Sequence, residues 1–241
     1  MKYSVIIPTL NEEKLLPKIL KQLTEKKLNE KIDYEIIVSD GGSRDLTVKI
    51  AEEFADKVVV SKENHQTIAK GRNDGAKIAS GDILIFVNGD IIFENAEKFF
   101  QFIKDRFENS NYAAMTCKVK VFPDEEIISD RLFHGFYNTY FKSLNIFGMG
   151  MGRGECQVIR KNVFEKIGGN REHLIAGEDF DLYMRIKKEG KILFADEICV
   201  FESPRRYRKF GYFNVTFSWL KNSVSVVIKK KSISLEWEQV R

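Results

Sequence analysis

The sequence predicts an α/β fold: a mostly parallel, Rossmann-like sheet flanked by helices, in a single domain with a helical, basic C-terminal extension. Three observations carry that prediction. Short β-rich runs, Ser4 to Pro8, Tyr34 to Ser39 and Asp82 to Val87, alternate with helical stretches, and strands alternating with helices imply parallel pairing. The run Ile83-Leu84-Ile85-Phe86-Val87 is apolar without alternation, which marks a strand covered on both faces. The runs stop at polar residues, Thr9-Leu10-Asn11-Glu12, Asp40-Gly41-Gly42-Ser43 and Asn88-Gly89-Asp90, at the strand ends where open α/β sheets bind ligands.

Taken in order, the first strand gives way to a cap-like Asn11 with Glu12 and Glu13, then an amphipathic segment from Leu15 to Leu23. The second strand leads into the helical stretch Leu46 to Phe54, Val58 to Val60 makes a third strand, and Ile68 to Ala79 a helix before the fourth. Ala96 to Phe107 has helical spacing and Ala113 to Phe122 reads as a longer strand. From Arg131 to Phe147, Phe133, Phe136, Tyr137, Tyr140, Phe141 and Leu144 recur at intervals of three and four. That is one helical face, either buried in the core or turned to lipid or an acceptor. A glycine- and methionine-rich loop, Gly148 to Gly154, follows; then come a strand at Gln157 to Arg160, a short helix at Asn162 to Ile167, a Gly168-Gly169 stop, a helix opening at Gly177-Glu178-Asp179, and a return to the sheet at Lys191 to Ala195.

A chain of 241 residues buries a full core, and we divide it into a domain at 1–203 and an extension at 204–241. The net charge of +4 comes from 39 Lys and Arg against 35 Asp and Glu, a balance that does not argue for nucleic acid as the main partner, and none is expected. Cys117, Cys156 and Cys199 show no CxxC spacing, and His65, His134 and His173 share no metal-ligand spacing, so neither a disulfide framework nor a zinc site is expected. The start of the chain lacks a signal-peptide pattern, and Asn214, Lys221 and Asn222 interrupt the apolar segment from Phe210 to Ile228. The expected location is the cytoplasm, with peripheral contact at the inner membrane face as an extension of it.

Asp40 and Asp90 each follow a predicted strand, so the fold brings both carboxylates to one sheet edge; alternatively each shapes a glycine turn. Pro8, Thr9, Asn11 and Glu12 end the first strand beside a helix N-terminus, a place that favours negative charge or simply needs a cap. Lys70, Arg72 and Asn73 either neutralise a diphosphate from one helix or lie in solvent. Glu178-Asp179 offers a general base, or serves the helix dipole. GxSxG, P-loop and GxGxxG motifs are absent, which removes serine hydrolases, P-loop NTPases and ordinary dinucleotide dehydrogenases.

In their order, Ser4-Val5-Ile6-Ile7-Pro8-Thr9-Leu10-Asn11-Glu12, Ser39-Asp40-Gly41-Gly42-Ser43-Arg44-Asp45, Gly71-Arg72-Asn73-Asp74-Gly75-Ala76, Gly81 to Phe86, Phe164 to Gly169 and Gly177-Glu178-Asp179-Phe180-Asp181-Leu182 resemble the GT-A glycosyltransferases of family 2 over residues 3 to 202. The resemblance implies hexosyl transfer with inversion from a nucleotide-sugar donor to an acceptor hydroxyl or lipid phosphate on a sugar or lipid-linked acceptor. It implies that Thr9, Glu12 and Asp40 contact base and ribose, Arg72 the nucleotide, and Asp90 a Mg²⁺ or Mn²⁺ ion on the diphosphate. Asp179 then matches the catalytic base and Glu178 orients it. The usual Asp-x-Asp is Asn88-Gly89-Asp90 here, which removes one negative charge next to the ion. A nucleotide-sugar-binding protein without turnover and a nucleotidyltransferase are the alternatives; the second lacks a glycine-rich basic loop after the first strand. Arg205 and Arg206, in the cluster Ser203 to Lys209, have three readings: a clamp on the diphosphate, a contact with an anionic membrane surface, or part of a terminal helix packed on the core.

Overall fold

The computed structural model describes residues 2–62, 66–234 and 240, leaving His65 outside the described residues. The chain runs β1 (Tyr3–Thr9), α1 (Leu16–Leu23), α2 (Lys26–Asn29), β2 (Tyr34–Asp40), α3 (Thr47–Phe54), β3 (Lys57–Val60), α4 (Ile68–Ile78), β4 (Ile83–Val87) and β5 (Ile91–Phe93). It continues through α5 (Ala96–Phe102), which passes into a π-helical stretch (Ile103–Glu108), then β6 (Tyr112–Val121), α6 (Ile128–Ile146), β7 (Cys156–Arg160), α7 (Lys161–Lys166) and α8 (Glu178–Ile186). It ends with β8 (Lys191–Glu202), α9 (Arg205–Phe210) and α10 (Tyr212–Lys229).

The strands form one sheet in the order β3-β2-β1-β4-β7-β6-β8-β5. The side chains of β1 alternate between two cores. Val5 and Ile7 pack with Leu16, Ile19 and Leu20 of α1 and Phe99 and Phe100 of α5. Ile6 packs on the other face with Ala76 of α4, Phe164 of α7 and Leu182 and Tyr183 of α8. This period of two, with both faces covered, is why β1 and β4 read as unbroken apolar runs.

Parallel pairing holds for β3-β2-β1-β4 and for β6 with β8. It fails for β7, antiparallel to both β4 and β6, and for the short β5, which pairs antiparallel with β8 and does not stand out in the sequence. A strand's apolar pattern fixes its faces but not its direction. The reversals matter for position. Thr9 pairs with Asp40, Val87 with Cys156, and Ile91 with Glu202, so the ends of β1, β2, β4 and β8 and the start of β7 share one edge.

Of the two readings of the aromatic helix, the buried core face is the one the structure does not bear out. The α6 residues that are buried are polar: Asp130, His134 and Asn138. Asn138 gives and takes hydrogen bonds with the backbone of Val119 in β6, at 2.9 and 3.0 Å. Its aromatic side instead receives the C-terminal segment, with Phe133 centred 5.1 Å from Tyr207 and 4.8 Å from Tyr212. Arg208 and Tyr212 both hydrogen-bond the buried Asp130.

Gly75 sits where α4 crosses β1. A Cβ there would stand 2.4 Å from Cγ2 of Ile6, a methyl fixed on a β-branched side chain. Helix propensity alone favours Gly75→Ala by about 1 kcal/mol, whereas overpacking costs about 1–3 kcal/mol. Denaturant melts of Gly75→Ala should therefore show a loss of stability; a gain would mean that this crossing is loose.

Candidate active site

The loop after β2 is built by one carboxylate. Oδ1 of the fully buried Asp40 accepts the N–H groups of Gly42 and Ser43 at 2.9 and 2.7 Å, and Oδ2 accepts the hydroxyls of Thr9, at 3.0 Å, and Ser43. Asn11, held at φ 54°, joins the same loop: its side-chain oxygen accepts the Arg44 N–H at 2.8 Å. Short polar side chains tolerate this left-handed backbone. Asp40 and Asn11 shape the floor of the site, and Ser39 and Gly41 beside Asp40 reach its surface.

Above that floor lies a cavity of about 960 Å³. Of the residues anticipated from sequence, Pro8, Thr9, Glu12, Arg72, Asn88, Gly89, Asp90, Glu178, Asp179, Arg205 and Arg206 line it. Asn11, Asp40, Lys70 and Asn73 are not among its walls. Lys70 pairs with Asp74 one turn on, at 3.0 Å. The Asn73 amide donates to the carbonyl of Asn170 and to Glu172, both at 2.9 Å, and so ties α4 to the loop before α8.

Arg72 is 1% exposed. Its guanidinium donates to Glu178 Oε1 at 3.0 Å, Asn88 Oδ1 at 3.2 Å and the Gly154 carbonyl at 2.7 Å. Asp179 lies in the first turn of α8, after Gly177, whose φ of 79° turns the chain into the helix. Burial raises the Asp179 pKa above the ordinary aspartate value; Glu155 adds to the rise and Arg72 opposes it. Glu178 is raised likewise, by burial and then by Asp179, against Arg72. A β-carbon at Gly154 would lie 3.2 Å from Arg72 Nη2 and 3.4 Å from Asp179 Oδ2, so glycine lets the loop approach both.

At the opposite wall, Arg205 spans two carboxylates. Its Nη1 donates to Glu12 at 3.0 Å and its Nη2 to Glu12 and to Asp90, the latter at 3.0 Å. Among the described residues, no three His, Cys, Asp or Glu side chains gather as a metal-binding group. A hard divalent ion that draws oxygens from a diphosphate and water needs only one or two carboxylates. Asp90 fits that demand as one ligand, since the Asn88 oxygen is engaged by Arg72.

A second buried cluster escaped sequence reasoning. Arg153 donates to Glu155 at 3.0 Å, to Glu202 at 2.6 Å and toward Nδ1 of His134 at 3.0 Å, and the Tyr207 hydroxyl donates to Glu202 at 2.8 Å. Burial pushes Glu202 up to about 8, with Glu155 adding and Arg153 opposing. Burial and then Arg153 hold His134 down at about 3, as a neutral ring. The available signal was a pair of charges, Arg153 and Glu155, inside a glycine-rich loop. At Gly152 a Cβ would stand 2.3 Å from the Tyr183 ring.

Residues 4–168 match the family described as Glycosyl transferase family 2. The chain is 27% identical over 199 residues to an uncharacterized glycosyltransferase of Haemophilus influenzae, covering 77% of this chain and 62% of that one. It is also 27% identical over 236 residues to the O-antigen chain rhamnosyltransferase WbaN of Salmonella anatum, covering 91% and 74%. In structure it is similar to the mannosyltransferase PcManGT of Pyrobaculum calidifontis, solved with GDP-Man and Mn²⁺. The TM-score is 0.74 at 17% identity, over 99% of this chain and 65% of that one. That likeness establishes a GT-A fold.

Arg72→Met should strand the buried Glu178 and cost about 3–5 kcal/mol, read from chemical denaturation. Adding Glu178→Gln removes the stranded charge and should recover part of the loss; a double variant no more stable than Arg72→Met would refute the pair as a stabilising unit.

Proposed function

The chain belongs to glycosyl transferase family 2, and on that premise we propose that it moves a hexosyl group, with inversion, from a nucleotide diphosphate donor to an acceptor hydroxyl or lipid phosphate. The observation that carries the proposal is that Asp179 and Asp90, far apart in sequence, line one cavity.

For a hydroxyl acceptor, the Asp179 carboxylate takes the proton as the acceptor oxygen attacks the anomeric carbon. The bond to the diphosphate breaks on the opposite face and its electron pair leaves with the nucleotide. Arg72 is paired with Glu178, and the raised pKa of Asp179 makes its carboxylate a stronger base than an exposed aspartate. Pro8, Thr9 and Glu12 sit where base and ribose would lie, with Asp40 acting through the loop that it holds. Arg205, held by Glu12 and Asp90, and Arg206 beside it stand on the wall that would face the diphosphate, their charge largely balanced by those carboxylates. A Mg²⁺ or Mn²⁺ ion, with Asp90 as its protein ligand, would act as a Lewis acid toward the departing phosphate. Mn²⁺ in the PcManGT structure supports that reading.

Asp179→Asn should lower sugar transfer by roughly 10²- to 10⁴-fold while nucleotide-sugar affinity is kept; normal transfer would remove Asp179 from the role of base. Because Asp179 must be deprotonated and its pKa is raised, kcat/KM should fall on acidification at a pH above the ordinary aspartate range, and an acid limb at or below that range would contradict the assignment. In a thermal-shift screen of nucleotide sugars with and without Mn²⁺, the wild type should be stabilised by its donor. Asp90→Ala should lose the Mn²⁺-dependent part of that shift, and an unchanged shift would rule out Asp90 as the ion's ligand.

A further inference from the structure

The cavity does not end at Asp179. It continues between α6 and α10, where Phe136, Tyr140, Leu220, Val224 and Ile228 line it. Phe136 is 65% and Ile228 72% exposed, so this end opens at the surface. Along α10, Phe213, Phe217, Leu220, Val224 and Val227 recur at steps of four and three, and all are exposed. These positions form one helical stripe. Leu132 extends the exposed stripe on α6 that includes Phe136 and Tyr140.

Charge is distributed to match. Residues 203 to 234 hold eight of the 39 Lys and Arg and none of the 35 Asp and Glu; Arg205 and Arg206 line the site and Arg208 pairs with Asp130, so the charge on the α10 side is that of its lysines. Lys221, Lys229 and Lys231 are exposed on or just past α10. Among the described residues no helix is long and apolar enough to cross a membrane. An apolar stripe beside lysines suits a helix lying in the plane of an anionic lipid surface. A second copy of the chain would set like charges against each other at this face.

We propose that the α6 and α10 face rests on an anionic membrane and that the hydrocarbon of a lipid acceptor enters the cavity from it. The acceptor role rests on the glycosyl-transfer reading above; the lipid contact stands on the face itself. The polar end of such an acceptor reaches Asp179 while its chain lies against the aromatic and aliphatic wall, which a water-soluble sugar acceptor would leave unused.

The full chain is floated with vesicles of phosphatidylcholine alone or mixed with phosphatidylglycerol. It should partition to the mixed vesicles and much less to phosphatidylcholine. Lys229→Gln with Lys231→Gln should lower that partition by about 25-fold, at about fivefold per lysine. Phe217→Ser with Val224→Ser, at unchanged charge, should also lower it, and should cancel the thermal stabilisation that farnesyl phosphate, but not inorganic phosphate, gives the wild type. Circular dichroism melts confirm that these surface variants fold. Failure to float, or flotation indifferent to the apolar pair, overturns the membrane face, and this can happen while nucleotide sugars still stabilise the protein, leaving the function intact. Flotation by a chain that no nucleotide sugar stabilises removes the acceptor role.

Discussion

Arg72 is the constraint on which the site depends. One buried guanidinium joins α4, the end of β4, the loop before β7 and the start of α8 through Asn88, Gly154 and Glu178. A charge taken this far from water is tolerable only when paired and hydrogen-bonded. Glu178 supplies the counter-charge, and neutral oxygens occupy two further donor positions. This gives a reason for the amide at position 88. An aspartate there would bring a second anion to a cation already paired, leaving excess negative charge close to Asp179. The Asn88 oxygen accepts the same hydrogen bond without that charge.

The second buried cation follows a different rule. Arg153 faces both Glu155 and Glu202, two carboxylates for one guanidinium. The excess is relieved at Glu202, whose raised pKa favours the protonated form near neutrality, and His134 stays neutral because burial and Arg153 both oppose a further positive charge. Glu155 remains ionised: burial pushes its pKa up, but the charge and hydrogen bond of Arg153, together with a backbone hydrogen bond, hold it below the usual glutamate range. Its charge is also what helps to raise Asp179. The two clusters are thus coupled: the arrangement around Arg153 sets part of the basicity available at α8.

Much of this was legible in the sequence because it depends on local pattern. Unbroken apolar runs identified the strands, and polar residues just past them located the edge holding Thr9, Glu12, Asn88 and Asp90. What the sequence hid depends on direction and on side-chain geometry. The reversal of β7 brings Arg153 and Glu155 to that edge, and apolar periodicity carries no sign of it. Asp40 read either as a ligand or as the shaper of a glycine turn, and its Oδ1 accepts the N–H groups of that turn, a geometry that position along the chain does not reveal. The aromatic spacing of α6 left open a core face or one turned to lipid or an acceptor; the residues the helix buries are Asp130, His134 and Asn138, three polar side chains with specific partners that no hydrophobic pattern can reveal. The role proposed for Asp179 comes from the resemblance; a carboxylate in a first helical turn would otherwise be ordinary.

The donor wall bears on the divalent ion. Glu12 and Asp90 face Arg205, with Arg206 beside them on the same cavity, so these four side chains are already close to balanced in charge. A nucleotide diphosphate would add negative charge to a wall with little positive charge to spare, at a site partly withdrawn from water where imbalance is costly. If Arg205 turned from its carboxylates to the phosphates, it would leave Glu12 and Asp90 uncompensated and gain nothing in sum. A cation arriving with the diphosphate would answer both demands: it would offset the phosphate charge, and Asp90 would be the carboxylate able to hold it. On the reading proposed above, the same balance would let a single aspartate serve as the protein's ligand, since a second carboxylate at position 88 would add to the deficit that an ion would have to meet.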